Sequence, residues 1–445
     1  MVKFKLNKTL RNTLITVGVI VLLFVISSLL PDQGYADKYE GVDLTATGTS
    51  AVVKNYATYL RAHSDAKNVF AEVSLNITDY DVDSAIGVHL ESNYSGKNVV
   101  ITEDRSFVKW NIDVPESGFY NIAVEYIAIP SRNVSMERIL YINGEIPFEG
   151  SDALTFQRLW KDGSEIKYDN RGNAIRPTQK EFFDYQTVLL KSDSGYEVDP
   201  YRYYFEKGIN TIALESTNEP MAISGITLVP VKNYDTYESY LAKQNSKPAD
   251  ETKNIFFKVQ GENAVSRSDP SLFARYDRSS ATSEPYSVKN TVLNYIGGAS
   301  WKDPGQWIEW DFEIPEDGWY TISVKGRQMY QRGYVACRSV YIDGEIPFES
   351  LKNVGFSYSS DWNLVTLSDD DNKPLDFYFK KGTHKIRLEV TLGEIGNLIS
   401  EIQDSIFRLN QVYRTILVLT GTMPDQYRDY EIEKVYPDEV ELMKL

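Results

Sequence analysis

Apolar and polar residues alternate along two separate stretches of this chain. Val108, Trp110 and Ile112 alternate with Lys109, Asn111 and Asp113, the period of a strand with one buried face. A Pro115-Glu116-Ser117-Gly118 turn follows, and Tyr120, Ile122 and Val124 resume the period, so the segment predicts an antiparallel pair. The pattern returns at Ile308, Trp310 and Phe312, then at Tyr320, Ile322 and Val324. Residues 107–149 in fact recur, without a gap, as 307–349. Trp110/Trp310, Pro115/Pro315, Gly118/Gly318, Tyr120/Tyr320 and Arg138/Arg338 match, and both copies close on Tyr-Ile-x-Gly-Glu-Ile-Pro-Phe-Glu. Within that run Asn143-Gly144 and Asp343-Gly344 predict tight primed hairpin turns. Each copy ends on Tyr-Phe-x-Lys-Gly, at 204–208 and 378–382, and on a further strand carrying Ile212/Leu214 or Ile386/Leu388. Short strands with turn signals and little helix predict a mainly β fold: two tandem β-sandwiches of the jelly-roll kind. Trp110 and Trp310 share parity with their apolar neighbours and read as core.

Helical patterns flank the repeats. The tyrosine-rich segments 54–60 and 232–241 predict short linker helices ahead of each sandwich. Beyond Val390 the period changes: Leu392, Ile395, Ile399, Ile402, Ile406, Leu409, Tyr413 and Ile416 are spaced three and four alternately, a heptad seam along one helix. Its partner is the second sandwich, a helix of another chain, or a continuation past Leu445. At the amino end Lys3, Lys5, Lys8 and Arg11 precede the uncharged run 13–30. That run reads either as a membrane anchor or as a signal peptide cleaved near Ala36, and both fates put the rest of the chain outside the cytoplasm. The expected organisation is a basic start with anchor or signal helix (1–36), a helical leader (37–66), the first sandwich (67–232), a helical linker (233–252), the second sandwich (253–390) and an amphipathic helical tail, truncated or complete (391–445).

Composition narrows the function. With 63 acidic against 47 basic residues the net charge is -16, which repels phosphate backbones and argues against nucleic acid as a partner. Cys337 is the only cysteine, so no disulfide forms within the chain. His63, His89 and His384 lie in unrelated contexts, and the chain holds no Gly-x-Ser-x-Gly, phosphate-loop or zinc pattern. A duplicated module favours multivalent binding over catalysis, because repetition raises effective concentration whereas chemistry needs one site. The expectation is a non-enzymatic binding protein.

The Gly-x-Tyr after a Pro-Glu turn, the (Asn/Asp)-Gly hairpin and the closing Phe-x-Lys-Gly-x-(Asn/His)-x-Ile-x-Leu-Glu together resemble the galactose-binding-like jelly rolls of carbohydrate-binding module families six and thirty-five. Val259-Gln260-Gly261-Glu262-Asn263 is similar to their opening strand. Asp169-Asn170-Arg171-Gly172-Asn173, Ile342-Asp343-Gly344-Glu345-Ile346-Pro347-Phe348, Leu409-Asn410-Gln411-Val412-Tyr413-Arg414 and Thr420-Gly421-Thr422-Met423-Pro424-Asp425 extend the likeness. They resemble the amino-terminal half of large extracellular solute-binding proteins of carbohydrate ABC transporters in Gram-positive bacteria. The resemblance implies oligo- or polysaccharide recognition serving sugar uptake, with a transporter permease or a separate solute-binding domain as partner. The other expectation is a structural or assembly protein docking a partner through its carboxy-terminal helix.

Sugar sites in such modules set loop aromatics against the C–H face of a ring, with a few polar groups for its hydroxyls. Trp160 and Trp362 occupy candidate loops, and Trp301 and Tyr330 are further candidates. Arg138 and Arg338 lie just before the hairpin, where a guanidinium binds a carboxylate or hydroxyls, or else pairs with an internal acid. The resemblance also implies structural calcium, for which Glu262 matches the first-strand acid. Asp369-Asp370-Asp371-Asn372 lacks the glycine and glutamate of an EF-hand and reads as a solvated turn.

Overall fold

The 18-residue strand Lys97–Val114 organises the first repeat. It bends at Arg105, where φ is 62° and the extended run breaks. Before the bend it pairs with Ile86–Tyr94 and Met221–Pro230; beyond it, with Gly208–Asn218. One ten-stranded antiparallel sheet therefore folds over on itself and supplies both layers around one core. Trp110, Ile112 and Val114 come from one layer and Tyr120, Ile122 and Val124 from the other. Each core indole keeps its N–H satisfied: Trp110 donates to the Ile77 carbonyl at 2.9 Å and Trp310 to that of Gly261 at 2.8 Å.

In the second repeat Trp307–Ile314 pairs with Gly382–Thr391, which pairs in turn with Val335–Ile342 and then Val354–Ser357. The facing layer consists of Gly318–Thr321 with Asp376–Phe379, and Ser323–Gly326 with Asn363–Thr366. Asn143-Gly144 and Asp343-Gly344 all adopt positive φ, as primed hairpin turns require. Helices α1 (Tyr56–Ala62) and α2 (Tyr237–Lys243) precede the two repeats, capped by the side chains of Asn55 and Thr236. The phenol oxygens of Tyr56 and Tyr59 accept from the backbone N–H groups of Arg202 and Tyr204. Those of Tyr237 and Tyr240 accept from Asp376 and Tyr378.

The computed structural model describes residues 54–244, 255–369, 371–437 and 440. The expected anchor or signal helix (1–36), the leader up to residue 53 and the linker from 245 to 252 lie outside the described residues. No helix among those described is long and apolar enough to cross a membrane.

Relative to the second repeat, the first carries an insertion between Leu154–Phe156 and Gln186–Leu189, and this insertion joins the repeats. Its strands Leu159–Asp162 and Gln179–Phe182 extend the sheet of the second repeat through Ser266–Arg267. Arg267 is fully buried at the joint. It reaches both carboxylate oxygens of Asp162 at 3.2 Å and donates to the carbonyls of Leu272 and Ala264. The described residues accordingly form one compact unit.

Helix α3 (Glu394–Thr420) follows the last strand. Asp404 accepts from Asn55 and, at 2.7 and 2.8 Å, from Arg61 of α1; a Cβ on Gly396 would lie 2.9 Å from the Gly195 carbonyl oxygen. The helix thus rests on the first repeat and its leader through Gly396 and Asp404; Val412 is its other buried residue. The heptad seam does not pack on the second sandwich: Ile402, Ile406, Leu409 and Tyr413 are exposed.

Candidate functional site

Strand register identifies equivalent positions in the two repeats. Gln186 pairs with Tyr126 and Asn363 with Gly326, so the preceding residues, Tyr185 and Trp362, stand at the same place. Their surroundings differ. In the first repeat the Tyr185 hydroxyl donates to the Tyr94 carbonyl, and the ring packs against Val99, Ile101, Ile127 and Ala222 under the Ile86–Tyr94 hairpin. In the second repeat no such hairpin precedes Trp307. A longer segment runs there, its internal ladder the two-residue pair of Ala274–Arg275 with Tyr295–Ile296, and it carries Arg275, Asp277 and Arg278.

Asp277 is the hub of the second arrangement. Trp362, half-buried, donates its indole N–H to Asp277 Oδ2 at 2.6 Å. Arg327 Nη1 lies 3.0 Å from the same oxygen, and its guanidinium sits 4.9 Å from the Trp362 ring centroid, within cation–π range. Tyr295 meets that indole edge-on at 5.6 Å. Burial pushes the Asp277 carboxyl up, but hydrogen bonds from Trp362 and Ser279 and the Arg327 charge outweigh it and hold the group below the usual carboxylate range. Gly297 and Gly298 both adopt positive φ beside this cluster. A Cβ at Gly297 would meet the Trp301 ring at 2.8 Å, and one at Gly298 would lie 3.6 Å from Arg275, Tyr295 and the Tyr330 hydroxyl alike.

The insertion of the first repeat buttresses this end. Thr291 donates its N–H to Asn173 Oδ1 at 2.9 Å, its carbonyl accepts from Ala174 N–H at 2.8 Å, and its hydroxyl accepts from Arg278 at 2.8 Å. Arg176 of the insertion and Arg275 of the site both lie over the Phe273 ring, at 3.8 and 4.4 Å.

Of the residues singled out in the sequence, Trp362 and Tyr330 belong to this cluster. Tyr330 is exposed. Trp160 does not: it is 7% exposed, in the strand that pairs with Arg267, and offers no face for stacking. Its polar neighbours suggested a loop, yet Arg158 pairs with Glu181 and Glu219, and Asp162 with Arg267, inside the molecule. Arg138 is fully buried. It donates to the carbonyls of Glu137 and Asn218 and to the Thr102 hydroxyl. Arg338 donates to the carbonyls of Cys337 and Trp301 and covers the Trp301 ring at 4.4 Å. The expected partner acid is thus replaced by backbone carbonyls in both copies. Burial pushes Arg138 down to about 9 and Arg338 to about 10, and both remain charged at neutral pH. Trp301 is half-buried, donates to the Gln306 carbonyl and packs against the core.

Glu262 is 4% exposed and its Oε2 has no partner. Among the described residues no group of three or more His, Cys, Asp or Glu could hold a metal. Sequence reasoning missed Arg275, Asp277, Tyr295 and Arg327. A signal was there for Arg327: its partner position in the first repeat is the buried Ile127, and a charge replacing an apolar residue between copies marks a changed environment.

The fold and this cluster define a mainly β protein with one half-open aromatic and guanidinium-rich loop end. No protein-family model matches the chain, and no curated protein matches it. Solved structures similar to it include carbohydrate-binding modules. A family 35 module from Clostridium thermocellum shares 14% identity over 36% of this chain and 97% of its own, with a TM-score of 0.21. A family 35 module from Paenibacillus barcinonensis shares 15% over 36% and 98%, at 0.21. The C-terminal family 6 module of a marine laminarinase from Zobellia galactanivorans shares 18% over 36% and 99%, at 0.20.

Proposed function

We propose that this chain is a non-enzymatic carbohydrate-binding protein that takes its glycan at the loop end of the second repeat. The observation that carries the reading is the asymmetry between the copies. Where the first repeat packs a half-buried Tyr185 against an apolar cluster under a hairpin, the second holds a half-buried Trp362 with Arg327 and Asp277 in a polar loop beside the exposed Tyr330. In this reading the indole and phenol faces lie against the C–H side of a sugar ring. Arg275, Arg278 and Arg327 supply donors for hydroxyl or carboxylate oxygens. The first repeat acts as a scaffold, through the Asn173–Thr291 contacts, and not as a second equal site.

The finer proposal keeps the two repeats as galactose-binding-like jelly rolls and places the protein outside the cytoplasm, tethered or exported through 13–30. It serves sugar uptake with an ABC-transporter permease or a separate solute-binding domain. The motifs at 169–173, 342–348, 409–414 and 420–425 support it.

The test is a glycan array followed by calorimetry on the full chain in detergent, wild type against Trp362→Ala. A specific glycan whose binding the substitution removes, with melting unchanged, supports the reading. A blank array on folded protein overturns it.

A further inference from the structure

We propose that residues 40–46 of this chain dock as a strand on its second repeat, antiparallel to 321–325. A difference between the two copies motivates it. In the first repeat Met221–Pro230 follows the Gly208–Asn218 strand and lies between Gly118–Ala128 and Val73–Ser74. Its Ile226 and Leu228 stand opposite Val124 and Ile122, and Tyr120, Ile122 and Val124 are no more than 1% exposed. In the second repeat the corresponding strand, Gly382–Thr391, leads straight into α3. Gly318–Thr321 and Ser323–Gly326 each pair with one strand, and among the described residues no further strand pairs with either. Tyr320, Ile322 and Val324 are accordingly only half-buried. Lys253-Asn254-Ile255-Phe256 and Val259 repeat Lys67-Asn68-Val69-Phe70 and Val73 in sequence. Val259 nevertheless lies in no ladder among the described residues and is 43% exposed. The second sandwich thus has a slot whose counterpart in the first copy holds one strand.

Sequence selects the occupant. Outside the described residues 13–30 is uncharged throughout and 245–254 is polar, whereas 40–46 carries the pattern of the covering strand. Glu40-Gly41-Val42-Asp43-Leu44-Thr45-Ala46 parallels Ser224-Gly225-Ile226-Thr227-Leu228-Val229-Pro230: the glycine and the two alternating apolar residues coincide. In the register of the first repeat Val42 faces Val324 and Leu44 faces Ile322, which covers the half-buried row. The polar positions change in step. The Ser224 hydroxyl donates to the Glu125 carboxylate at 2.7 Å. In the second repeat Lys325 stands in place of Glu125, and the docking segment brings Glu40 in place of Ser224, so a hydroxyl–carboxylate contact becomes an ion pair. Ser74 and Thr227 share a hydrogen bond of 3.1 Å across the other border, where Gln260 and Asp43 supply an amide donor and a carboxylate acceptor. Residues 47–53 connect the segment to Lys54 and span roughly 25 Å when extended. Both fates of 13–30, anchor or signal cleaved near Ala36, leave 40–46 in the mature protein.

The test uses the full chain in detergent with Cys337→Ser as background. Asp43→Cys with Ser323→Cys sets two thiols directly opposite on the solvent face of the docked pair, within disulfide reach. Mild oxidation at high dilution is expected to link them within one chain, read by mass spectrometry of the digested protein. The yield should be at least tenfold above that of Asp43→Cys with Ala123→Cys, the same position of the first repeat, where Thr227 already sits. Hydrogen exchange gives the second readout. Val42→Asp with Leu44→Asp should speed exchange of the amides of 321–325 at least tenfold and leave those of 121–125 unchanged, which also verifies the fold of the variant. No link together with unchanged exchange at 321–325 overturns the proposal. A link found only between two copies, rising with protein concentration, overturns it as well, because the strand is then exchanged and not the chain's own. Neither readout involves sugar, so failure here leaves the glycan site standing, and a blank glycan array leaves the docked strand standing.

Discussion

Trp362 and Tyr185 occupy one point of two equivalent strand pairs, yet Trp362 bonds a carboxylate at a half-open loop and Tyr185 a backbone carbonyl beneath a hairpin. Their substitutions should therefore separate binding from stability. Trp362→Ala is expected to weaken glycan binding at least tenfold with little change in melting temperature. Tyr185→Ala should cost on the order of 2 kcal/mol of stability, from lost packing of a half-buried ring, and leave affinity unchanged. Calorimetric titration and thermal melts on the same preparations distinguish the two.

Asp277→Asn keeps an acceptor for the Trp362 N–H but removes the charge that holds Arg327. Binding should weaken roughly three- to tenfold, in the range of one lost charge-assisted contact. The carboxyl is held below its ordinary value, so it favours the folded site when ionised, and that contribution disappears only as pH falls through the depressed value. Glycan affinity should accordingly be flat from pH 8 to about 5, followed by fluorescence titration. A midpoint near neutrality would assign the dependence elsewhere.

Arg267→Ala leaves Asp162 and two carbonyls without their donor at the joint between the repeats. Removing one partner of a buried ion pair costs roughly 3 kcal/mol or more. Because the joint is a shared sheet, the calorimetric endotherm should also split into two transitions. A single transition shifted by less than a degree would show that other contacts couple the repeats.

Burial raises the Glu262 carboxyl from its ordinary 4.5 to about 7. The folded state then binds the proton more tightly than the unfolded state, so this contribution to stability is fully present below about pH 4.5 and is lost as pH rises through 7. At roughly 1.4 kcal/mol per pH unit the loss has an upper limit of about 3.5 kcal/mol. Glu262→Gln should remove it, and the variant should melt above the wild type at pH 8 but not at pH 4.5. Equal differences at both pH values would contradict this.

The strands around Trp110 and Trp310 were legible because alternation reports directly which face is covered, and both indoles are buried. The hairpin turns were legible for a similar reason, since Asn-Gly and Asp-Gly encode a backbone angle locally. Trp160 was misleading because Arg158, Lys161 and Asp162 carry the polarity of a loop, whereas two of them form internal ion pairs. Pairing between the insertion and the second repeat joins segments about a hundred residues apart, and no local period announces it. The heptad of α3 could be read, but not which way it points, since that depends on contacts of Asp404 with Asn55 and Arg61 and of Gly396 with Gly195, all distant in sequence.

The phenols of the leader helices have a consequence for crowded surroundings. A strand bordering a sheet offers its outward amides to any passing chain, and such borders seed cross-molecular ladders. Here Tyr56 and Tyr59 take the free amides of Arg202 and Tyr204, and Tyr237 and Tyr240 take those of Asp376 and Tyr378. Four side-chain oxygens stand in for a neighbouring strand, so each border is sealed from within the molecule. Duplicated sequences are otherwise prone to swap strands between copies, and at these two borders four of the amides from which a swap would begin are already taken.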